Sequence, residues 1–355
     1  MKILGIESSC DETAAAVVED GSILLSHVVI SQIDIHKEFG GVVPEVAARS
    51  HVEVIAPVIE KALQEANCQW TDIDGIALTK GPGLSGSLLI GSMAARTLAI
   101  TKQKPIYGLH HVLGHVFANM ITRGKNGLES LNLPTAPPQF PLLALIVSGG
   151  HSQLVLFNSY LEYKLLGQTQ DDAIGEAFDK VAKIIGLPYP GGPSISNRAT
   201  EGDPKAFDFP ISKLDNPYNF SFSGLKTAVL RKSQQLIGED YSFPSFQIAD
   251  QLTDQHVSDI AASFQATAIE TLVRNTKKAT EEFRPRSVVI AGGVAANKLL
   301  RSELKNQLPN YDIQYAPMSL CTDNAAMMAA LGFYYAQHND PDNPYDLDIK
   351  PSWSM

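Results

Sequence analysis

The stretch KILGIESSCDETAAAVVE, Lys2–Glu19, decides the architecture. Lys2–Glu7 reads as a β-strand and Thr13–Glu19 as its returning partner, with a polar turn of Ser8, Ser9, Cys10, Asp11 and Glu12 between them. After the Asp20-Gly21 turn signal, Ser22–Ser31 extends the pair into an antiparallel meander. The arrangement returns about half a chain later. Leu142–Val147 is a strand, Ser148-Gly149-Gly150-His151 a small polar turn, Gln153–Phe157 the returning strand and Tyr163–Leu166 the third. A hairpin with a small polar turn, used twice at that separation, points to an internal duplication. The expected fold is α/β, built as two duplicated lobes that face a cleft.

The segments between these hairpins supply the helices. Val46–Asn67 carries Val46, Val54, Ile55, Val58, Ile59, Ala62 and Leu63 at helical spacing. Gly75–Thr79 is a short apolar strand that runs into Gly81-Pro82-Gly83-Leu84-Ser85-Gly86-Ser87, and a helix follows from about Leu88 to Thr101. Such a strand, Gly-rich loop and helix can present backbone N–H groups to an anion. Gly124–Pro141 is rich in Gly, Asn and Pro and reads as the boundary between lobes. Beyond it, Ala173–Ile185 and Asp254–Glu282 are helical, and Ser287–Ala291 is a buried strand that leads into Gly292–Asn297 and another helix. Asn324–Gln337 is a last helix, expected to pack back on the first lobe. The expected division is 1–138 for the first lobe, 139–323 for the second, and 324–355 for that helix and a tail.

Bulk composition limits the function classes. At 355 residues, with 44% hydrophobic and 19% charged residues, the chain has the composition of a globular protein with two packed lobes. Its longest apolar runs, such as Pro141–Val147, are far too short for a bilayer. The N-terminus MKILGIESSCDET reaches acidic residues before a signal-peptide core could form, so a cytoplasmic location without membrane attachment is expected. Cys10, Cys68 and Cys321 are too few and scattered for a disulfide framework. A net charge of −10 argues against strong unaided binding to nucleic acid. The basic clusters Lys226, Arg231, Lys232 and Arg274, Lys277, Lys278 read as solvated helix faces.

Chemistry enters with HHVLGH, His110–His115. His111 and His115 are four residues apart, so on a helix both imidazoles share one face and can bind one metal ion. The zinc-protease pattern places a Glu general base after the first His, whereas here Val112 stands there. A two-His, one-carboxylate site with open positions suits iron or zinc. Asp323, in SLCTDNAAMMAA, is the best third ligand, although Asp before an apolar helical run is also the usual helix cap. Three turns, Ser8–Thr13, Ser148–His151 and Gly292–Asn297, combine small residues with hydroxyls and stand at strand ends. Together they suit a nucleotide phosphate, although neither the Walker loop nor the G-x-G-x-x-G fingerprint is present.

Taken together, GIESSCDETAAAVV, HHVLGH, IVSGGHSQL, DDAIGEAFDK, YPGGP, SFSGLKTAV, AGGVAANKLL and CTDNAAM resemble, in order, the universal tRNA threonylcarbamoyladenosine synthase family, from Gly5 to roughly Gly332. The resemblance implies a duplicated fold of the actin, heat-shock chaperone and sugar-kinase (ASKHA) type, with nucleotide and metal in the interlobe cleft. It implies transfer of threonylcarbamoyl from threonylcarbamoyl-AMP to N6 of adenosine 37, in tRNAs that read codons starting with A, with release of AMP. It also implies one divalent metal, Fe2+ or Zn2+, on His111, His115 and Asp323. By the same resemblance Ile146, Val147, Ser148, Gly149 and Gly150 form the substrate phosphate loop. Asp179, Gly192 and Asn297 match further substrate contacts. Ser196 stands where many members carry Asp, so a charge is missing there.

The implied partners are tRNA, a TsaB-like paralogous subunit, a TsaE-like ATPase and a TsaC-type enzyme that supplies the adenylate. Because adenosine N6 is poorly basic, a group that accepts its proton helps the transfer, and Asp11 and Glu12 are the candidates. The competing readings are a metal-dependent glycoprotein endopeptidase, a sugar or acetate kinase, and a non-catalytic binding module of the same fold.

Overall fold

The computed structural model describes residues 1–355. Its strands are β1 (Lys2–Glu7), β2 (Glu12–Glu19), β3 (Ile23–Ser31), β4 (Gly75–Gly81), β5 (Ile106–His110), β6 (Arg123–Gly124), β7 (Leu142–Val147), β8 (Ser152–Phe157), β9 (Tyr163–Gln168), β10 (Ser287–Ala291) and β11 (Asp312–Tyr315). Its α-helices are α1 (Ile33–Lys37), α2 (Pro44–Glu65), α3 (Ser85–Lys102), α4 (His111–Phe117), α5 (Ile174–Ile184), α6 (Gly191–Arg198), α7 (Ser223–Leu236), α8 (Asp254–Phe283), α9 (Lys298–Gln307), α10 (Met318–Cys321) and α11 (Ala325–Ala336).

One sheet runs β5-β4-β1-β2-β3-β6 and the other β11-β10-β7-β8-β9. Apart from the two-residue β6, the two orders are the same. Antiparallel β1-β2-β3 recurs as β7-β8-β9, and the parallel β4 and β5 recur as β10 and β11. The duplication that the hairpins suggest therefore extends to whole sheets. The outer strands β5 and β11 are absent from the sequence reading. Both are short, and β11 is only half-buried, so it carries little apolar pattern. α3 begins at Ser85 rather than Leu88, because Ser85-Gly86-Ser87 forms its first turn, with Gly86 against Ala48 of α2.

Alternation along the central strands divides the first lobe into two apolar layers. Leu4, Ile6, Ala15 and Val17 face α2 and α3. Ile3, Ala14, Ala16 and Val18 face the opposite way, into a core that continues through α11 to the second sheet. α11 lies on β1, β2 and β4, so the last helix of the chain closes the first lobe. Its seat is backbone against backbone. A Cβ on Gly5 would stand 2.1 Å from the Ala325 carbonyl oxygen and 2.9 Å from the Ala329 nitrogen. Gly332 lies close against the Ala77 methyl of β4, and Gly114 lets α4 approach Met328. α4 in turn leans on β7 and β10 of the other lobe. The two helices thus cross at the lobe interface.

Gly5→Ala is expected to lower folding stability by about 2–3 kcal/mol, the upper range for overpacking, because a rigid helix backbone must move. Urea denaturation checks this, and a variant with the wild-type midpoint and slope contradicts the close seat.

Candidate metal centre and substrate cleft

The chain passes from β5 directly into α4, so the paired histidines lie on the first helical turns at a strand end. The rings of His111 and His115 are 4.8 Å apart and nearly edge-on. Asp323 reaches them from the turn between α10 and α11. Its Oδ1 lies 3.4 Å from His111 Nε2 and 3.3 Å from His115 Nε2. Capping of α11 falls instead to Asn324, whose Oδ1 accepts from the Met327 N–H at 3.0 Å. The Asn324 amide also donates to the carbonyls of Leu320 and Thr322. The Asp323 carboxylate is thereby free of the helix and turned to the histidines. One donor atom from each of the three residues lies within 4.8 Å of the others.

These residues fit a divalent metal. The His115 side chain is 1% exposed, its Nδ1 has no hydrogen-bond partner and its Nε2 meets only the Asp323 carboxylate at 3.3 Å. A buried imidazole nitrogen without a good partner is costly, and a ligand bond at Nε2 removes that cost for this atom. Two nitrogens and one carboxylate oxygen form a donor set that Zn2+ and Fe2+ both accept with positions left open.

A fourth residue, Glu7, completes the centre and is not foreseen in the sequence reading. It ends β1, is fully buried, and its Oε2 lies 3.1 Å from His111 Nδ1. The Ser9 N–H donates to its Oε1 at 2.6 Å and the Thr79 hydroxyl donates to Oε2. A carboxylate on Nδ1 fixes the tautomer and turns the Nε2 lone pair toward Asp323. The available signal was a lone Glu closing the apolar run Ile3–Ile6. Burial disfavours charge on Glu7 and on His111, but their attraction outweighs it. His111, flanked by Asp323 and Glu7, is held well above the usual imidazole range. Glu7 is held below the usual carboxylate range, and Asp323 well below it. Two carboxylates around two imidazoles make a pocket for positive charge.

Across the cleft, Ser148–His151 forms a tight turn in which the Ser148 N–H donates to the His151 carbonyl at 2.8 Å. Ile146 and Val147 are the buried last residues of β7. α5 holds the turn from behind. The N–H groups of Gly175 and Glu176 donate to Ser148 and Gly149, and a Cβ on Gly175 would strike the Ser148 oxygen at 2.6 Å. His151 faces the metal cluster: burial first, then His111, His115 and His110, pull its pKa down to about 3.

The remaining substrate candidates fall into two groups. Asp179 Oδ1 accepts from the Gly191 N–H at 2.7 Å, which sets the start of α6 and hence Gly192. Burial raises the Asp179 pKa. Ser196 and Asn297 meet at 3.1 Å, and both bond to Gln265 Oε1, a partner not singled out in the sequence. Asn297 also caps α9 through the Leu300 N–H. Asp11 and Glu12 border the first turn. Burial, then the charges of Asp323 and Asp11, push the Glu12 carboxyl up to about 10.

Other expected features resolve differently. The Gly81–Ser87 loop does not offer its first amides to an anion: Gly83 N–H donates to Pro351 and Leu84 N–H to Ser9. The basic clusters lie on the surface, with Arg231, Arg274 and Lys278 exposed, and some of their members also have partners. Arg231 lies over Tyr241 and Lys232 over Phe207, while Lys226 pairs with Asp172. Arg274, Lys277 and Lys278 join Lys213 around a groove of about 480 Å³. No helix is long and apolar enough to cross a membrane.

Comparison with known proteins gives concordant results. Residues 23–330 match the family model "tRNA N6-adenosine threonylcarbamoyltransferase". A protein of that name from Thermomicrobium roseum is 47% identical, covering 98% of this chain and 95% of its own length. Another from Dehalococcoides mccartyi is 46% identical, covering 100% and 99%. Among solved structures, HypF of T. kodakarensis superposes with a TM-score of 0.57 at 14% identity, over 95% of this chain and 48% of that one. Full-length HypF in a phosphate- and nucleotide-bound form gives 0.58 at 12% identity, over 96% and 47%. The fold is of the ASKHA type, two duplicated α/β lobes.

Because ligation requires a neutral imidazole, an incoming ion displaces the proton that the carboxylates hold on His111. Zinc titration near neutral pH, in two buffers of different ionisation enthalpy, is expected to show net proton release on binding. The affinity is expected to fall as the pH is lowered through the raised His111 pKa. Zinc binding with no pH dependence contradicts this assignment.

Proposed function

The chain belongs to the tRNA N6-adenosine threonylcarbamoyltransferase family and is an acyltransferase acting on tRNA, and from that premise we propose how its cleft carries out the transfer. The donor is threonylcarbamoyl-AMP. The acceptor is N6 of adenosine 37 in tRNAs reading codons that start with A, and AMP leaves. The endopeptidase reading is set aside, since the relatives are transferases and Val112 occupies the position of a protease base.

One observation carries the reading: glycines without a fold-based reason, opposite a cation pocket. A Cβ on Gly149, Gly150 or Gly192 would meet nothing within 4 Å. None of the three takes a left-handed conformation either. The fold therefore tolerates side chains there, and a bound substrate is what needs the room. In this reading the turn from Ser148 to Gly150, at the end of Ile146–Val147, holds the adenylate phosphate by the N–H groups of Gly149 and Gly150 and the Ser148 hydroxyl. Asp179 and Gly192 contact the nucleoside. Ser196 and Asn297 close the pocket with Gln265.

His111, His115 and Asp323 hold one divalent ion, Fe2+ in the first instance or Zn2+, which when bound supplies Lewis acidity at the carbamoyl oxygen. Since AMP is a good leaving group, most of the rate comes from holding the N6 amine against the carbonyl. Asp11 and Glu12 are the proposed acceptors of the N6 proton. Burial, then the negative charge of Asp323, favours the neutral Glu12 carboxyl, so a cation at Asp323 favours its ionisation.

Partners complete the machine. Val52 on α2 and Leu89 and Met93 on α3 are 59%, 46% and 55% exposed on adjoining helices. This apolar face supports docking of a TsaB-like paralogue. A TsaE-like ATPase and a TsaC-type source of adenylate are also proposed. The groove of Lys213, Arg274, Lys277 and Lys278 supports a limited tRNA contact on an acidic chain whose net charge is −10.

The chain, partners, threonylcarbamoyl-AMP and unmodified tRNA are expected to give threonylcarbamoyladenosine by mass spectrometry. Asp323→Ala is expected to lower single-turnover transfer by at least about 100-fold. Wild-type rates in a folded Asp323→Ala protein overturn the metal-assisted reading. Gly149→Ala is expected to keep the wild-type melting temperature while raising KM for the adenylate roughly 10-fold, a pure loss of binding. Unchanged KM removes the turn from the substrate site.

A further inference from the structure

The tail beyond α11 is bound along its length and ends against the histidine helix. Asp342 starts the strap. Its N–H donates to Ile106 of edge strand β5 at 2.9 Å, and its Oδ2 accepts from the Gly108 N–H at 2.7 Å. Arg96 of α3 clamps the next turn, donating to the carbonyls of Pro344 at 2.6 Å and Tyr345 at 2.7 Å. Leu347 is 3% exposed in the outer apolar layer of the first lobe. The strap then crosses the Gly81–Gly83 loop. Lys350 N–H donates to Lys80 at 2.7 Å, and Gly83 N–H donates to Pro351 at 3.1 Å. A Cβ on Gly81 would stand 1.9 Å from the Lys350 oxygen, at a φ of +156°.

Two lines of contact run from the strap to the metal ligand His111. The first passes through His110, the residue before it. His110 is 5% exposed, its ring lies 4.9 Å from the Trp353 ring, and its Nε2 donates to the Trp353 carbonyl at 3.2 Å. Lys350 covers the same indole, with Nζ 4.9 Å from its centroid. The second passes through the loop. Leu84 N–H donates to the Ser9 carbonyl at 2.8 Å, and Ser9 Oγ lies 3.1 Å from His111 Nδ1.

We propose that Trp353 is a positioning residue for the metal centre: with the strap behind it, it fixes His110 and so the orientation in which His111 is presented. This rests on the metal reading of His111, His115 and Asp323. The indole offers a flat wall to the His110 ring and the backbone carbonyl fixes its tautomer, so His110 holds one rotamer at the junction of β5 and α4. With that junction loose, the His111 ring loses the alignment that joins Glu7 on one nitrogen to Asp323 on the other. Loss of a ligand's direct outer-shell partner, here Glu7 on His111, alters metal affinity by roughly 10–100-fold, and a misaligned His111 weakens that same bond.

The test is zinc(II) affinity, measured by competition with a chromophoric chelator on the full-length protein, on Trp353→Ala, on Trp353→Phe and on a chain ending at Ser352. The melting temperature is recorded for each. Trp353→Ala and the truncated chain are expected to bind zinc at least about 10-fold more weakly. Trp353→Phe, which keeps an aromatic wall and the carbonyl, is expected to stay within about twofold of wild type. Equal zinc affinity in all four proteins overturns the positioning role. So does equal loss in Trp353→Ala and Trp353→Phe, since the wall would then not matter. Wild-type protein that binds no zinc, or His111→Ala that binds it as wild type does, overturns the metal reading and the inference with it.

Discussion

The arrangement depends on a steric constraint at Gly5. A helix usually rests on a sheet through side chains, which keep the two backbones well apart. Here the absence of a Cβ at Gly5 lets the Ala325 carbonyl sit where that carbon would be, and Gly332 against Ala77 extends the close seat. This draws α11, sequentially part of the second half, onto the first sheet. Asp323 and Asn324 lie at its N-terminal end and are carried to the end of β5, where α4 begins. Residues more than 200 positions apart thus meet at the lobe interface.

The division of labour between the two neighbouring residues then decides the chemistry. Asn324 satisfies the helix N-terminus, so Asp323 is not consumed as a cap. Glu7 approaches His111 from the opposite side. The result is a line of carboxylate, imidazole and carboxylate, with a second imidazole that meets Asp323 through Nε2 and has no partner at Nδ1. Such a line is stable only with positive charge inside it, whether a proton on His111 or a metal ion. The histidines sit at the lobe interface while the Ser148–His151 turn is braced by α5, so motion between lobes would change the spacing between them.

Much of this was legible in the sequence, for identifiable reasons. The meanders β1-β2-β3 and β7-β8-β9 are marked by apolar runs separated by polar turns, and the His111–His115 pair by its helical spacing. The parallel strands β5 and β11 were not legible, because short strands carry little pattern and parallel pairing is set by long-range packing. Glu7 was hidden for a different reason. A single acidic residue at a strand end looks like the start of a turn, and only the fold brings it to His111. Gln265 lies mid-helix in α8 and meets Ser196 and Asn297 only when α6 and α9 pack beside it. The tail is a similar case, since its polar, Pro-containing sequence gives no sign that it bonds along one lobe edge to Trp353.

The central claim is that this helix crossing builds one metal centre at the edge of a substrate cleft. Anomalous diffraction from crystals of the zinc- or iron-loaded protein tests it most directly. One peak is expected, about 2.0–2.2 Å from Nε2 of His111, Nε2 of His115 and a carboxylate oxygen of Asp323, with Glu7 still on His111 Nδ1. No peak among these residues in a loaded crystal, or a peak ligated elsewhere, would contradict the account.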